Sequence, residues 1–330
     1  MGAWVSFLAV FVLILVALGG SQNTGLQTVF GVVVPYLAVL TFFVGIIYRV
    51  VAWAKSPVPF RIPTTGGQQK SLPWIKWSCL DNPSTKEGAF ARMALEILTF
   101  RSLFRNTRLE LRDGPKLDYA SSKWLWLAAL AFHYTFLVIF LRHFRFFLEP
   151  VPGLIDLLQR LDGFFEVGVP GLYLTDAIIM LALLYLLLRR FAIPQIRYIS
   201  LAADYFPLFL ILGLVLSGIL MRYFIKVDIR GVKQLAMGLV SFHPVVPEGI
   251  GSIFYVHLFL LSVLIAYFPF SKLMHAPGVF LSPTRNLPND SRMVRHVNPW
   301  NYPVKVHSYE AYENDFREKM IEAGLPVEKE

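Results

Sequence analysis

The sequence predicts an all-α integral membrane protein of about six transmembrane helices, and three observations predict it. Of 330 residues, 55% are hydrophobic and only 16% charged, the mean hydropathy is +0.54, and the apolar residues are bunched into runs long enough to cross a bilayer. This excludes an ordinary soluble domain, a disordered chain and a disulfide-stapled scaffold. The single cysteine, Cys79, can form no internal disulfide, hold no iron–sulfur cluster and make no paired thioethers. Any metal must therefore rest on histidine, carboxylate or a bound organic cofactor. The net charge of +9 first marks loops retained on the cytoplasmic side of a membrane.

A span needs about 20 residues for roughly 30 Å of hydrocarbon. Six segments meet this: 3–19, 29–53, 124–148, 171–191, 202–224 and 251–274. The first resembles a signal peptide in length, but it lacks a basic start, and Leu18 to Gln22 is a poor cleavage site. Residues 1–54 are thus two N-terminal helices. Residues 55–123 carry twelve Lys or Arg against six acids, which makes this loop cytoplasmic. Six crossings then put both termini inside and the loops near 149–170 and 225–250 outside. Glu149, Asp156, Asp162 and Glu166 against Arg160 suit that side, whereas Lys226, Arg230 and Lys233 count against it.

Within the inner loop, Ala91, Leu95 and Leu98 recur at helical spacing among arginines, predicting an amphipathic helix from Glu87 to Arg108 that lies on the membrane or a partner. A short outer helix is expected over Leu154 to Leu161. The tail, 276–330, is interrupted by Pro277, Pro283, Pro288, Pro299 and Pro303, which favours an extended arm. The sequence holds no internal repeat, no Gly-rich phosphate loop and no Ser-His-Asp order.

Four of the seven histidines fall on two spans: His133 and His143 on the third, His257 and His275 on the sixth. A histidine in hydrocarbon is costly unless it has a partner, so each is a functional candidate. The spacings correspond to roughly 15 Å and at most about 27 Å of helix, less if Pro269 bends the longer stretch. The two spans run in opposite directions, so His133 meets His275 toward the cytoplasm and His143 meets His257 toward the outside. The eighteen-residue step is five whole turns and keeps His257 and His275 on one face, whereas the ten-residue step misses by about 80°. Two facing imidazoles suit a haem b, whose iron takes one nitrogen above and one below the ring. Two such pairs imply two haems and leave electron transfer as the chemistry. Zinc needs its ligands within about 2.1 Å of one ion, which this spread cannot supply. Arg142 and Arg145 flank His143 and suit haem propionates. Taken singly, His143 could be an interfacial residue and His275 a helix-end cap. His243, His296 and His307 read as surface residues.

The H-x9-H of one helix and H-x17-H of another, over roughly residues 120–275, resemble the dihaem cytochrome b (gamma) subunit of respiratory nitrate reductases, NarI, with two leading helices added. The loop Ser71-Leu-Pro-Trp-Ile-Lys-Trp-Ser-Cys-Leu80 and the Pro-rich tail look more like the DsrM branch, the membrane cytochrome of the sulfite-reduction-associated DsrMKJOP complex. The resemblance implies menaquinone or menaquinol as the membrane reactant. It also implies a cytoplasmic iron–sulfur partner of the heterodisulfide-reductase type (DsrK-like), met through the tail and the 55–123 loop, and dissimilatory sulfur metabolism. It places the quinone by the His143–His257 haem and the partner by the His133–His275 haem. The quinone-contacting lysine of the family has no match here; Arg160, Asp162 and Asp176 lie in the corresponding outer region, Asp176 as a proton acceptor. Two other readings stay open on the residues: a transporter or proton channel using intramembrane His and Asp, and a haem-free anchor for a soluble enzyme. A transporter of this size would show inverted repeats or matched broken helices, and none is visible.

Overall fold

A computed structural model of the chain describes residues 1–56, 66–112, 114, 116–163, 171–282, 284–292 and 307–328. Arg61, Asp113, Glu166, Pro283, His296, Pro299 and Pro303 lie outside the described residues. The chain is mostly helical, and five described helices are long and apolar enough to cross a membrane: Gly2–Ser21, Thr24–Ala54, Lys123–Phe146, Ala202–Tyr223 and Ser252–Phe270. The fourth expected span (171–191) is also helical, Leu174–Ala192, but Asp176, Arg189 and Arg190 at its ends set it apart from the other five.

Helix α1 (Gly2–Ser21) is apolar on every side, as lipid contact requires. It turns Trp4, Leu8, Phe11 and Leu15 outward while Ser6, Val10 and Ala17 are buried. Helix α2 (Thr24–Ala54) starts at Asn23, whose side chain accepts from the Gly25 amide. It widens into a π turn over Val29–Val33, where Pro35 has no N–H to close the ordinary ladder.

The basic loop departs from expectation. Helix α3 (Lys86–Thr99) is capped by Thr85 but stops at Phe100, which takes the left-handed conformation (φ 50°). The Glu96 carboxylate accepts from the Ser102 amide (2.9 Å) and hydroxyl (2.6 Å), folding the chain back and ending the helix well short of Arg108. A hairpin of β1 (Thr107–Arg112) and β2 (Lys116–Ser121) follows, turning at Gly114 (φ 79°). Its sequence alternates with period two, a strand signal that the helical reading overlooked.

The remaining helices of ten residues or more are α4 (Lys123–His143), α5 (Gly153–Asp162, matching the expected outer helix), α6 (Leu174–Ala192), α7 (Ala202–Tyr223), α8 (Ile229–Val240), α9 (Ser252–Tyr267) and α10 (Tyr309–Glu322). Helix α7 is the hub of the bundle, packing against α1, α6 and α9, while α2 closes over α9 and α4 packs mainly on α6. The core joins Leu210, Ile211 and Leu214 of α7 to Tyr255, Leu260 and Leu264 of α9, with Ile179 and Leu183 of α6 and Val10 of α1. The sixth span is not one straight rod. After Tyr267 come 3-10 turns at Phe268–Phe270 and Lys272–Met274, separated by an extended Ser271, because Pro269 removes a helical hydrogen bond. His257 and His275 therefore do not share a helix face across five turns.

The tail is not a bare extended arm either. Residues 284–292 lie on the 66–104 segment, where Asn289 Nδ2 donates to Asn82 Oδ1 (2.7 Å) and the Asn289 amide to the Pro83 carbonyl (2.6 Å). Arg285 pairs with Glu96 (2.8 Å). Asn82 and Asn289 are both buried, so each must keep its partner. The tail ends in α10, capped by Ser308.

Substituting Asn289→Ala leaves the buried Asn82 Oδ1 without its donor and costs this lobe about 1–3 kcal/mol. Hydrogen exchange should speed up across 82–96 and 284–292 while the α7 amides stay protected; unchanged exchange in both segments would refute the docking.

Candidate functional site: two imidazole pairs and a buried charge cluster

Helices α4 and α9 run in opposite directions with α6 and α7 between their main contacts, which leaves a seam across which their histidines face. The His143 and His257 ring centroids are 6.3 Å apart, with planes inclined by 7°. Those of His133 and His275 are 6.0 Å apart, inclined by 81°. Two imidazoles each about 2 Å from a shared metal, plus roughly 1 Å from nitrogen to ring centre, would sit about 6 Å apart.

Each ring is oriented by the same device. Nδ1 of His133 donates to the Ala129 carbonyl (2.7 Å), that of His143 to Ile139 (2.7 Å) and that of His275 to Lys272 (2.8 Å). His257 Nδ1 lies 2.9 Å from Ser217 Oγ, which is also 2.9 Å from the Leu214 carbonyl. A carbonyl can only accept, so His133, His143 and His275 carry their proton on Nδ1, leaving Nε2 with its lone pair. No described hydrogen bond reaches any Nε2. This is the arrangement of metal-bound histidines, whose other nitrogen is usually tied to a carbonyl or similar acceptor. Among the described residues no three His, Cys, Asp or Glu side chains gather, so the four histidines stand as two facing pairs and not as a cluster.

The pairs differ in surroundings. His143 and His257 lie within the bundle, where Gly218 leaves room for the His257 ring: a Cβ there would come within 3.4 Å of it. His133 and His275 are more exposed. They sit beside the basic lobe, since the Phe100 ring packs edge-on to His133 at 5.0 Å and Tyr134 Oη donates to the Leu98 carbonyl (2.8 Å). His243 and His307 are exposed, away from both pairs.

Beside His143 lies a charge cluster that the sequence showed only in fragments. Arg142, 6% exposed, pairs with Asp162 (2.9 Å) and Asp176 (3.2 Å). Asp162 also accepts from the Thr175 amide (2.8 Å) and hydroxyl (2.6 Å), and Asp176 from Tyr223 Oη (2.9 Å). The Tyr173 ring is stacked between the Arg142 and Arg222 guanidiniums, 3.8 Å and 3.7 Å from its centre, each a favourable cation–π contact. Arg142 is therefore neutralised by two aspartates, while its Nε makes no hydrogen bond among the described residues. Among the described residues, Arg145 hydrogen-bonds to neutral partners, Gln159 (2.9 Å) and Tyr173 Oη (3.4 Å). Arg160 stands apart on α5, exposed and paired with Asp156 (2.9 Å). A cavity of about 620 Å³ opens in front of the cluster, lined by Arg145, Phe146, Gln159, Tyr173, Arg222 and Lys233. Ser217, Tyr173 and Arg222 escaped the sequence reading; the one local hint was Ser217-Gly218, a polar and small pair in an otherwise apolar helix.

Residues 116–296 match the model of the nitrate reductase gamma subunit family, more than half of the chain. The chain belongs to that family. It is also similar to the Hdr-like menaquinol oxidoreductase cytochrome b-like subunit of Archaeoglobus fulgidus, 50% identical over 280 residues that cover 83% of each chain. The Archaeoglobus profundus protein of the same description is 45% identical over 274 residues, 81% of each chain. The membership confirms the resemblance seen at the histidine spacings and identifies a multi-pass membrane protein of cytochrome b type, whose matched stretch contains both histidine pairs.

Arg142→Ala would leave Asp162 and Asp176 buried without their cation and should destabilise the bundle by about 3–5 kcal/mol. Thermal unfolding in detergent measures this. Arg142→Lys should recover only part, because a lysine cannot fork to two carboxylates; a variant as stable as the parent would mean the cluster is solvated.

Proposed function

We propose that this chain is the membrane cytochrome b subunit of a menaquinol oxidoreductase complex, carrying electrons between menaquinol near the outer face of the cytoplasmic membrane and a cytoplasmic iron–sulfur partner. The observation that carries the reading is the two facing imidazole pairs, three of whose rings are tied to carbonyls through Nδ1 and so leave Nε2 its lone pair. Under it His143 and His257 would hold one haem b and His133 and His275 another, and the chemistry such haems would supply is one-electron transfer. Arg145, whose hydrogen-bond partners among the described residues are neutral, is the residue for a propionate of the first. Arg142 instead holds Asp162 and Asp176 in place.

The menaquinol headgroup is assigned to the cavity of about 620 Å³ rather than to Arg160, Asp162 or Asp176 directly. There Tyr173 and Gln159 offer hydrogen bonds to a quinol oxygen. Asp176 lies behind them through Tyr223, whose Oη also accepts from the Tyr173 amide (3.0 Å). Excess Lys and Arg in 55–123 support a cytoplasmic lobe, and Phe100 and Tyr134 join that lobe to the His133 helix. This supports both termini inside, the His133–His275 pair as the inner one, and the lobe with residues 284–292 as the docking face. The relatives' description, an Hdr-like oxidoreductase subunit, supports a partner of the heterodisulfide-reductase type, DsrK-like. The resemblance of Ser71–Leu80 and the tail to the DsrM branch supports a place in dissimilatory sulfur metabolism.

Optical spectroscopy and haem quantification on the purified chain test the reading: two b-type haems per chain are expected, and a colourless protein at full haem supply refutes it. His257→Ala should remove one haem and spare the other; loss of both or of neither breaks the pairing. The 7° and 81° ring inclinations predict two distinct low-spin signals by electron paramagnetic resonance, rhombic for the near-parallel pair and highly anisotropic for the near-perpendicular one. In sealed vesicles, quinol oxidation should build a membrane potential, since each charge moved is worth about 2.3 kcal/mol per 100 mV.

A further inference from the structure

A second cavity, of about 450 Å³, lies at the other end of the bundle, where α2 meets the stretch from Tyr267 to Gly278. Its wall includes His275, together with Arg49, Trp53, Tyr267 and Lys272. Arg49 and Trp53 belong to α2, which lies outside the 116–296 stretch that matches the family.

Several features build the site. Gly45 on α2 lies so close to Pro269 that a Cβ there would approach the proline side chain at 2.6 Å. That approach brings Arg49, one helical turn further along the same face, to the Pro269 carbonyl, to which its Nε donates (3.0 Å). The guanidinium is thus fixed by one nitrogen, leaving its two terminal nitrogens for another acceptor. Among the described residues Arg49 has no carboxylate partner. The nearby Asp204 is already taken by Lys272 (2.6 Å) and faces Arg190 (4.0 Å). A half-buried arginine on a membrane-spanning helix is costly without an anion, and a fixed guanidinium is well suited to a forked hydrogen bond with a carboxylate or phosphate.

We propose that Arg49 is an oxyanion-binding residue at the rim of the His133–His275 pair, receiving a carboxylate or phosphate group in the cavity between α2 and residues 267–278. The carboxylate source is a propionate of the porphyrin held by that pair, an arm that rests on the haem reading above. The phosphate source is the headgroup of an anionic lipid at the cytoplasmic membrane edge, where basic pockets between helices hold such headgroups. Removing the cation beside a propionate leaves its negative charge uncompensated, which favours oxidised iron and lowers the midpoint potential of that haem alone.

The experiment compares full-length wild type, Arg49→Ala and Arg49→Lys in membranes and after purification. It measures haem per chain, both midpoint potentials by spectral titration, and co-purified anionic phospholipid by mass spectrometry. Loss of the His133–His275 haem, or a downward shift of its midpoint with the other haem unmoved, and recovery in Arg49→Lys, supports the propionate. Unchanged haems with loss of bound anionic lipid supports the lipid headgroup. Haem content, potentials and lipid all equal to wild type in Arg49→Ala overturn the proposal. A wild type without haem would defeat the ligation reading separately, and the lipid measurement would then decide this one.

Discussion

Hydrocarbon cannot solvate an N–H group, and that constraint fixes the four imidazoles on which the site depends. Each Nδ1 must find a partner within its own surroundings. Three find the carbonyl three or four residues back along the chain, and His257 finds Ser217 on the neighbouring helix. Meeting this demand locks the orientation of each ring, and at the three carbonyls the tautomer too, and points the other nitrogen of each ring into the seam between α4 and α9. A histidine in water would need no such arrangement and would carry no such preference.

The two ends of the bundle meet the cost of polar groups in different ways. At the His143 end, charge is buried but balanced: Arg142 joins Asp162 and Asp176, and Tyr173 lies between two guanidiniums. This is a rigid wall, and it confines a polar cavity to one side of the imidazole pair. At the His133 end the rings are more open and the support comes from a separate lobe. Phe100, held in a left-handed conformation by the end of α3, packs on His133, and the tail segment 284–292 clasps that lobe through buried asparagines. The polar lobe therefore reaches the His133–His275 pair through Phe100, which gives the two pairs different neighbours.

Much of this was legible in the residues. Apolar runs identified the helices, because a span must be long and nearly uncharged whatever surrounds it. The antiparallel course of two spans, with histidines ten and eighteen residues apart, was enough to bring His133 toward His275 and His143 toward His257. What local pattern could not reveal was competition. Arg142 beside His143 looked available, yet Asp162 and Asp176, 20 and 34 positions away, reach it first. The 87–108 stretch looked like one helix, but Glu96 accepting from Ser102 ends it, and the period-two pattern that follows pairs as a hairpin.

The sequence by itself determined that the chain lies in a membrane, which helices cross it, and which imidazoles can meet, since length, hydropathy and helical rise are properties of the chain alone. Only the tertiary structure decided which nitrogen of each ring is free, which arginine is already neutralised and which is not, and that α2 brings Arg49 to the edge of His275. Those outcomes depend on acceptors supplied by distant segments at hydrogen-bonding distance, and no spacing along the chain encodes which of them arrives.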